Sequence, residues 1–361
     1  MRPAGIPAGL TKRGPCDIRS YIILILLAPV EQDWGRKTMI ESLALSNYAH
    51  SETKSQDCIS LQFGRAEEEN SLQCYTLFPG INLLSLGFHM DCCPSNFYYA
   101  EKTISIDYCR EGRVEWERGK DNYCYLGEKD VQFSAQSYYS GSYGFPTRHY
   151  HGFTVTIQVQ EAQKGLESLR PYFVFDLEKL YDQLISRHGD LVIRASQQME
   201  ELFGSLGTFC QQGDREAMRL RILHLLLGIS RYATVIEPDQ DRPYFPKKVV
   251  EKVRDIKNEL CGDLNCRKTV SELAEEHQIS ETMLKRCFHA MYGNSVYAFV
   301  KEYRLQTAAR ELATTDRPVM EIALEVGYEN PSKFSAAFRS QYGETPTAFR
   351  AQKRREITGQ P

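Results

Sequence analysis

The feature that most restricts what this chain can fold into is a unit that occurs twice between Thr269 and Arg350. With Ser280 and Asn330 aligned as helix N-caps, the same positions carry Leu284 and Phe334, Phe288 and Phe338, Tyr292 and Tyr342, Gly293 and Gly343, and Phe299 and Phe349. Each copy thus supplies a cap, an apolar face at helical spacing, and a glycine where a helix must stop. The first copy is led in by Thr269 and Glu272, spaced as in a capping box, with Val270, Leu273 and Ala274 on one face. The second is led in by Arg317-Pro318, offers Val319, Ile322, Ala323 and Val326 for burial, and has Gly327 placed for a left-handed turn. These signals predict two pairs of short helices, with a strong helix from about Ser295 to Ala313 fixing the distance between them.

Two helices joined by a tight turn form a helix-turn-helix, whose second helix can enter a DNA major groove. In the first copy Leu284, Cys287, Phe288 and Met291 point inward together, which turns Glu281, Thr282, Lys285, Arg286 and His289 outward. All five can hydrogen-bond, as a reader of base edges must. In the second copy Phe334 and Phe338 point inward, leaving Ser332, Lys333, Ser335, Ala336 and Arg339 outside. Alanine offers only a contact to a thymine methyl, whereas Arg286 can bind guanine O6 and N7 together, worth about 1–3 kcal/mol of discrimination. The first copy is therefore expected to do most of the sequence reading, and the second to anchor phosphates through Lys333 and Arg339. Two heads in one chain suit adjacent major grooves about 34 Å apart without requiring a dimer.

Length and charge accommodate this plan. The 361 residues suffice for two domains plus a leader. The formal charge is −3, but from residue 246 onward 19 Lys+Arg face 16 Asp+Glu, so the C-terminal part is net +3 and the rest net −6. Eleven cysteines include no CxxC pair, which argues against a zinc site; a chain able to build its own core does not need a disulfide framework. Reduced thiols and a cytoplasmic location are expected. The apolar run Tyr21 to Val30 falls short of the roughly twenty residues a membrane span requires, so no membrane partner is expected. Lys12, Arg13 and Arg19 ahead of that run give residues 1–38 the outline of a signal peptide. The favoured reading is a mis-set start, because Gly35-Arg36-Lys37-Thr38 can be coded by a purine run like a ribosome-binding site just before Met39.

Residues 39 to about 70 are polar and weakly patterned and read as an entry segment. From about residue 77 to 160 short runs alternate, clearest in Val114-Glu115-Trp116 and Phe153 to Ile157, with Gly112, Gly119 and Gly127 at turn-like spacing. Such strands predict a small β-barrel, a fold that can hold one small ligand. Residues 161–235 switch to helical period, with helices expected at Leu166 to Ile185, at Gln198 to Thr208, and from Asp214 onward. In the last of these, Met218, Ile222, Leu225, Leu226 and Ile229 form a stripe that suits either the chain's own core or a homodimer. Three prolines and three acidic residues in Ile236 to Pro246 mark a linker at 236–246, leaving 247–361 to the helix pairs.

The doubled arrangement resembles the AraC/XylS family of bacterial transcription regulators. The resemblance runs from about Val249 to Arg350 and rests on the RLxxAxxxL helix (Arg304, Leu305, Ala308, Leu312), on IALEVGYENPSKFSAAFRSQYGETPTAFR at Ile322 to Arg350, and on the paired glycines. It implies base contacts from Thr282, Lys285, Arg286 and His289 in the first head and from Pro331, Ser332, Ser335 and Ala336 in the second. Val296 stands where many members have proline, and Ala336 where some have arginine. YCREGRVEWERG with the later HGFTVTIQV resembles the PchR-like branch, whose members often respond to iron-chelating siderophores. The implied fold is α+β: an N-terminal cupin-like β-barrel with a helical connector (39–235, effector sensing and dimerisation), then a C-terminal all-α double helix-turn-helix. The implied function is regulation of transcription, activation being the family's commoner mode. Its partners would be double-stranded DNA, RNA polymerase, a siderophore-like small-molecule effector and a second copy of the chain. No cofactor is implied, and no effector-binding residue is assigned.

Three further groups have two readings each. His149 and His151 form an HxH, a fragment of a cupin metal site, but no further ligand stands at supporting spacing, so surface or ligand-lining histidines and no metal are expected. Phe97, Tyr98 and Tyr99 with Tyr138, Tyr139 and Tyr143 suit a flat ligand or barrel packing. Lys353-Arg354-Arg355 suits phosphate contact or a solvated tail. No nucleophile elbow, P-loop or dinucleotide fingerprint occurs, so no enzymatic activity is expected. The rival reading is a cupin-type metal-dependent enzyme fused to a DNA-binding module, which would depend on His149 and His151.

Overall fold

A computed structural model describes residues 49–55, 58–63, 70–98, 102–119, 121–135, 138–188, 191–232 and 244–358. The leader 1–38, the proposed start at Met39, Tyr99 and most of the 236–246 linker lie outside them. The architecture is α+β, with an antiparallel sheet and its helices first and an all-helical part after it.

Strand β6 (Thr103–Arg118) is the hub of the sheet. It pairs on one side with β10 (Tyr150–Gln158), which pairs in turn with β4 (Ile81–Phe88). Beyond β4 come β3 (Asn70–Phe78), β2 (Cys58–Phe63) and β1 (Ala49–Lys54). On its other side the first half of β6 pairs with β8 (Asp130–Ser134), while its second half lies between β7 (Asn122–Gly127) on one edge and β9 (Tyr138–Gly144) on the opposite one. Strand β5 (Cys92–Tyr98) closes on β9, and β11 (Leu191–Arg194) on β8. Because side chains alternate across a strand, this sheet carries two cores. One face packs Ile81, Leu83, Ile104, Ile106, Val155 and Ile157 against helices; the other encloses Leu61, Phe63, Leu84, Phe88, Trp116, Leu126 and Tyr150.

The covering helices are α1 (Val159–Gly165), α2 (Leu177–His188), α3 (Gln197–Gln212) and α4 (Arg215–Tyr232). The stripe Met218, Ile222, Leu225, Leu226 and Ile229 is fully spent on this core, with no residue above 2% exposure. It therefore faces the chain's own sheet, and the homodimer alternative for this stripe is withdrawn.

Other expectations need correcting. The described residues of the segment from 39 to about 70 are not an entry segment but form β1, β2 and the start of β3. The alternation of Ile59, Leu61 and Phe63 drives β2 into the core, its polar residues occupying the other face. The single helix expected over Leu166 to Ile185 is broken between α1 and α2, with only a short 3-10 turn at Glu167–Leu169. Pro171 marks the break, because it has no N–H with which to continue the helical hydrogen bonding. Gly112 is no turn; it sits within β6 at φ +78°, where an added Cβ would lie 1.9 Å from the His149 carbonyl oxygen, beside a register shift in the β6–β10 ladder. The linker's end is structured as well, Phe245–Pro246 forming β12 against Asn122 and Tyr123 of β7.

Helix α5 (Lys247–Gly262) opens the helical part. Then follow α6 (Val270–Glu276), α7 (Glu281–Tyr292), the long α8 (Val296–Thr314), α9 (Val319–Glu325), α10 (Pro331–Tyr342) and α11 (Pro346–Thr358). Helices α6 and α7 share a core with α5, while α9 and α10 share one with the second half of α8. Among the described residues no helix is long and apolar enough to cross a membrane.

Candidate nucleic-acid interface

The two helix pairs are built by the same local chemistry. Thr269 accepts from the Glu272 N–H while the Glu272 carboxylate accepts from the Thr269 N–H at 2.7 Å, the capping box that starts α6. That bond, and a second from the Thr269 hydroxyl, hold the Glu272 carboxyl below its ordinary pKa. Ser280 caps α7 through the Met283 N–H, and Asn330 caps α10 through the N–H groups of Ser332 and Lys333. Gly293 and Gly343 end α7 and α10, each in the left-handed region at φ +80°, and Gly327 follows α9 at φ +85°. Pro318 differs slightly from expectation: it is the N-cap of α9 rather than a residue of its first turn.

Packing repeats with the caps. Phe288 lies 4.7 Å from Tyr292 and 5.4 Å from Phe299, ring centre to ring centre; Phe338 lies 4.6 Å from Tyr342 and 5.4 Å from Phe349. The phenylalanine pairs meet edge to face at 81° and 78°. Such contacts are favourable beyond the area they bury, and they lock each second helix onto the helix after it.

With the apolar side fixed, the opposite side of each second helix is exposed. Leu284, Cys287, Phe288 and Met291 are fully buried, and Thr282, Lys285, Arg286 and His289 lie outside. Lys285 is engaged by Glu281 one turn earlier. In α10 Phe334 and Phe338 are fully buried; Pro331, Ser332, Lys333, Ala336 and Arg339 are exposed, and Ser335 is half-buried.

His289 differs from its neighbours, because burial and the nearby Arg113 guanidinium lower its pKa. Arg113, on β6, donates through Nη1 to the Ala290 carbonyl oxygen at 2.8 Å. The C-terminal end of α7 is thus fastened to the sheet, while Thr282, Lys285 and Arg286 lie toward its other end. A second fastening joins Arg254 of α5 to the buried Glu115 of β6, with the Arg254 guanidinium also 5.2 Å above the Tyr123 ring. Burial works against the Arg254 charge, but Glu115, Tyr125 and Tyr123 together more than offset it and raise the pKa. Sequence reasoning missed these contacts. Arg113 and Ala290 are 177 positions apart, Glu115 and Arg254 139, and no local pattern connects them.

The remaining groups sort themselves by position. Lys353 is paired with Glu356 at 2.7 Å, and Arg354 with Asp316, so acidic neighbours share this basic run. Backbone register sets Phe97 across from Tyr139 and Tyr98 across from Tyr138, while Tyr143 meets the Trp116 ring edge-on at 6.4 Å. For His149 and His151 the expectation of no supporting ligand fails: His89 and Glu111 stand beside them.

A family model described as a helix-turn-helix domain matches residues 273–352, spanning both helix pairs from the middle of α6 into α11. Regulatory protein SoxS of Escherichia coli (strain K12) is 33% identical over 81 residues, which are 22% of this chain and 76% of that protein. The right origin-binding protein of the same strain is 30% identical over 98 residues, 27% of this chain and 34% of that protein. Among solved structures, fatty-acid-bound ToxT from Vibrio cholerae aligns with 76% of this chain and 95% of its own, at 14% identity and a TM-score of 0.29, a likeness too distant to carry an argument.

Proposed function

This chain belongs to the AraC/XylS family of DNA-binding transcription regulators, and from that premise we propose that it reads a bipartite DNA site with two unequal helix-turn-helix heads. The observation that carries the proposal is the pairing, in α7, of a fully buried apolar face with an outer face of Thr282, Lys285 and Arg286. In this reading α7 enters one major groove, with Arg286 the principal base reader and Thr282 and Lys285 beside it. His289, next to Arg113, contributes least. Helix α10 enters the neighbouring groove, where Pro331, Ser332, Ser335 and Ala336 give shape and apolar contact, and Lys333 and Arg339 hold phosphates. The long α8 sets the separation of the heads.

The N-terminal part is the regulatory domain in this proposal, a cupin-like unit whose small-molecule effector biases the heads toward activation. A ligand shifts such an equilibrium only by binding its two arrangements unequally. A cavity of about 850 Å³ between β11, α3 and α4 supports the reading. Met199, Leu202, Leu225 and Ile229 give it an apolar wall, and Arg194, Arg221 and His224 a few polar groups, a mixture typical of small-molecule sites.

Salt dependence tests the DNA reading. Binding of the full chain to a duplex selected from a random pool should weaken linearly in log–log terms as salt rises, because each neutralised phosphate releases counterions. Lys333→Ala should reduce that slope by about one and weaken all duplexes alike. A slope near zero overturns the proposal.

A further inference from the structure

We propose that His89, His149 and His151, with Glu111 beside them, bind a divalent first-row transition-metal ion at the end of the β4–β10–β6 ribbon. The inference concerns the sheet alone and does not depend on how the helix pairs meet DNA.

Sheet register assembles the group. Tyr150 pairs with both Phe88 and Gly112, and His151 with both Gly87 and Glu111. His89 follows Phe88, so it stands level with His149 across the ladder, and Glu111 stands level with His151. Two glycines make room. A Cβ on Gly87 would lie 3.3 Å from Cε1 of His151, so the glycine leaves space for the imidazole. Gly112, at φ +78°, lets its backbone approach the His149 carbonyl.

The nitrogens are already near ligand spacing. Nδ1 of His149 is 3.3 Å from Nδ1 of His89, and Nε2 of His151 is 3.2 Å from Nε2 of His89. A tetrahedral ion with bonds of about 2.0–2.1 Å needs nitrogens about 3.3–3.4 Å apart. His89 shows a different nitrogen to each neighbour, so ligation requires its ring to turn. One nitrogen from each of the three rings can be chosen with all of them inside 4.8 Å, and the exposed position of His89 leaves it free to close the remainder.

The surroundings favour a cation over three bare imidazoles. Glu111 Oε2 lies 3.4 Å from Nε2 of His149, so the carboxylate accepts from that N–H or supplies a fourth ligand. Accepting from Nε2–H leaves the Nδ1 lone pair turned toward His89, the arrangement by which a carboxylate orients a ligating histidine. Arg110 adds positive charge, but its Nε is 3.0 Å from the other Glu111 oxygen; at 3.5 Å from Nδ1 of His151 its Nη2 is too distant to fix that ring's tautomer. Imidazole donors with one carboxylate suit zinc, cobalt, nickel or iron, and not calcium or magnesium. His89 is exposed and His149 and His151 are only half-buried, so packing alone does not account for their meeting.

Cobalt(II) is the probe for the test. The full chain, stripped with a chelator, is titrated with Co²⁺ and followed by its visible d–d bands, then back-titrated with Zn²⁺. The expected result is one ion per chain with no sulfur-to-cobalt charge transfer in the near ultraviolet. His89→Ala, His149→Ala and His151→Ala should each lower affinity by at least about 10–100-fold, a loss no smaller than that caused by removing an outer-shell partner. His277→Ala, at the end of α6, should leave the Co²⁺ affinity unchanged. Circular dichroism and melting of each variant verify that it folds, and X-ray absorption of the zinc-loaded chain, expected to show imidazole scattering, reports the ligands without substitution. Failure to bind stoichiometrically, the appearance of thiolate charge-transfer bands or of sulfur scattering, or unchanged affinity in His89→Ala would each overturn the proposal.

Discussion

Gly293 and Gly343 hold equivalent places in the repeat but not in the molecule, and alanine at each should separate what the two helix ends do. Both glycines are left-handed at φ +80°, so each substitution carries the same backbone penalty, about 1–2 kcal/mol. A Cβ on Gly343 would meet nothing within 4 Å. On Gly293 it would lie 2.8 Å from Nε and 2.9 Å from Nη2 of Arg113, forcing the guanidinium off the Ala290 carbonyl. A charged hydrogen bond is worth about 1.5–3 kcal/mol. Arg113 is only part-buried and rehydrates when displaced, which lowers the extra loss to about 1–2 kcal/mol. Gly343→Ala should therefore raise local opening of α10 through the backbone alone, and Gly293→Ala should raise opening of α7 by a further factor of roughly 5–30. Amide hydrogen exchange read by mass spectrometry measures both helices in one sample. An Arg113→Ala background completes the cycle: there the two glycine substitutions should cost the same. Equal losses with Arg113 in place would refute the claim that this side chain fastens α7 to the sheet.

Glu115→Ala should leave Arg254 without its partner and cost about 1–3 kcal/mol, less than a fully buried pair because the Arg254 side chain is 37% exposed. Exchange of the Lys247 amide, bonded to the Asp121 carbonyl, should report that loosening. Thr269→Ala should remove about 1 kcal/mol from α6, seen as faster exchange in its first turn. The Glu272 half of the same box should fail in acid. Its folded-state pKa is lowered, so the contribution is complete above the unfolded carboxylate pKa and disappears as pH falls through the folded one. A helix start unchanged between neutral pH and pH 3 would contradict this.

What the sequence disclosed follows from range. Caps, stops and helical stripes are local, so Thr269, Ser280, Asn330 and the three glycines specify the helix pairs within a few residues of where they form. The start of the sheet was less legible because β1 is polar and β2 alternates over only six residues, although Ile59, Leu61 and Phe63 do carry the period. The break before α2 was legible in Pro171 and was outweighed by the apolar residues on either side. The histidine group was not legible. His149 and His151 are neighbours, but His89 is 60 residues away and Glu111 38, and only the pairing of β4, β10 and β6 brings them together. The contacts of Arg113 and Glu115 with the helical part belong to the same class, set by packing between distant segments.

The central claim is that two heads of one construction do unequal work, and the most direct measurement is base-pair discrimination on a selected duplex. Affinities of the full chain, Arg286→Ala and Ser335→Ala are compared across all single base-pair replacements at constant salt. Arg286→Ala should erase about 1–3 kcal/mol of preference, roughly 5–150-fold, at one guanine-containing position, while Ser335→Ala changes discrimination less than about twofold anywhere. Preference that survives Arg286→Ala, or collapses in Ser335→Ala, would contradict the assignment of sequence reading to α7.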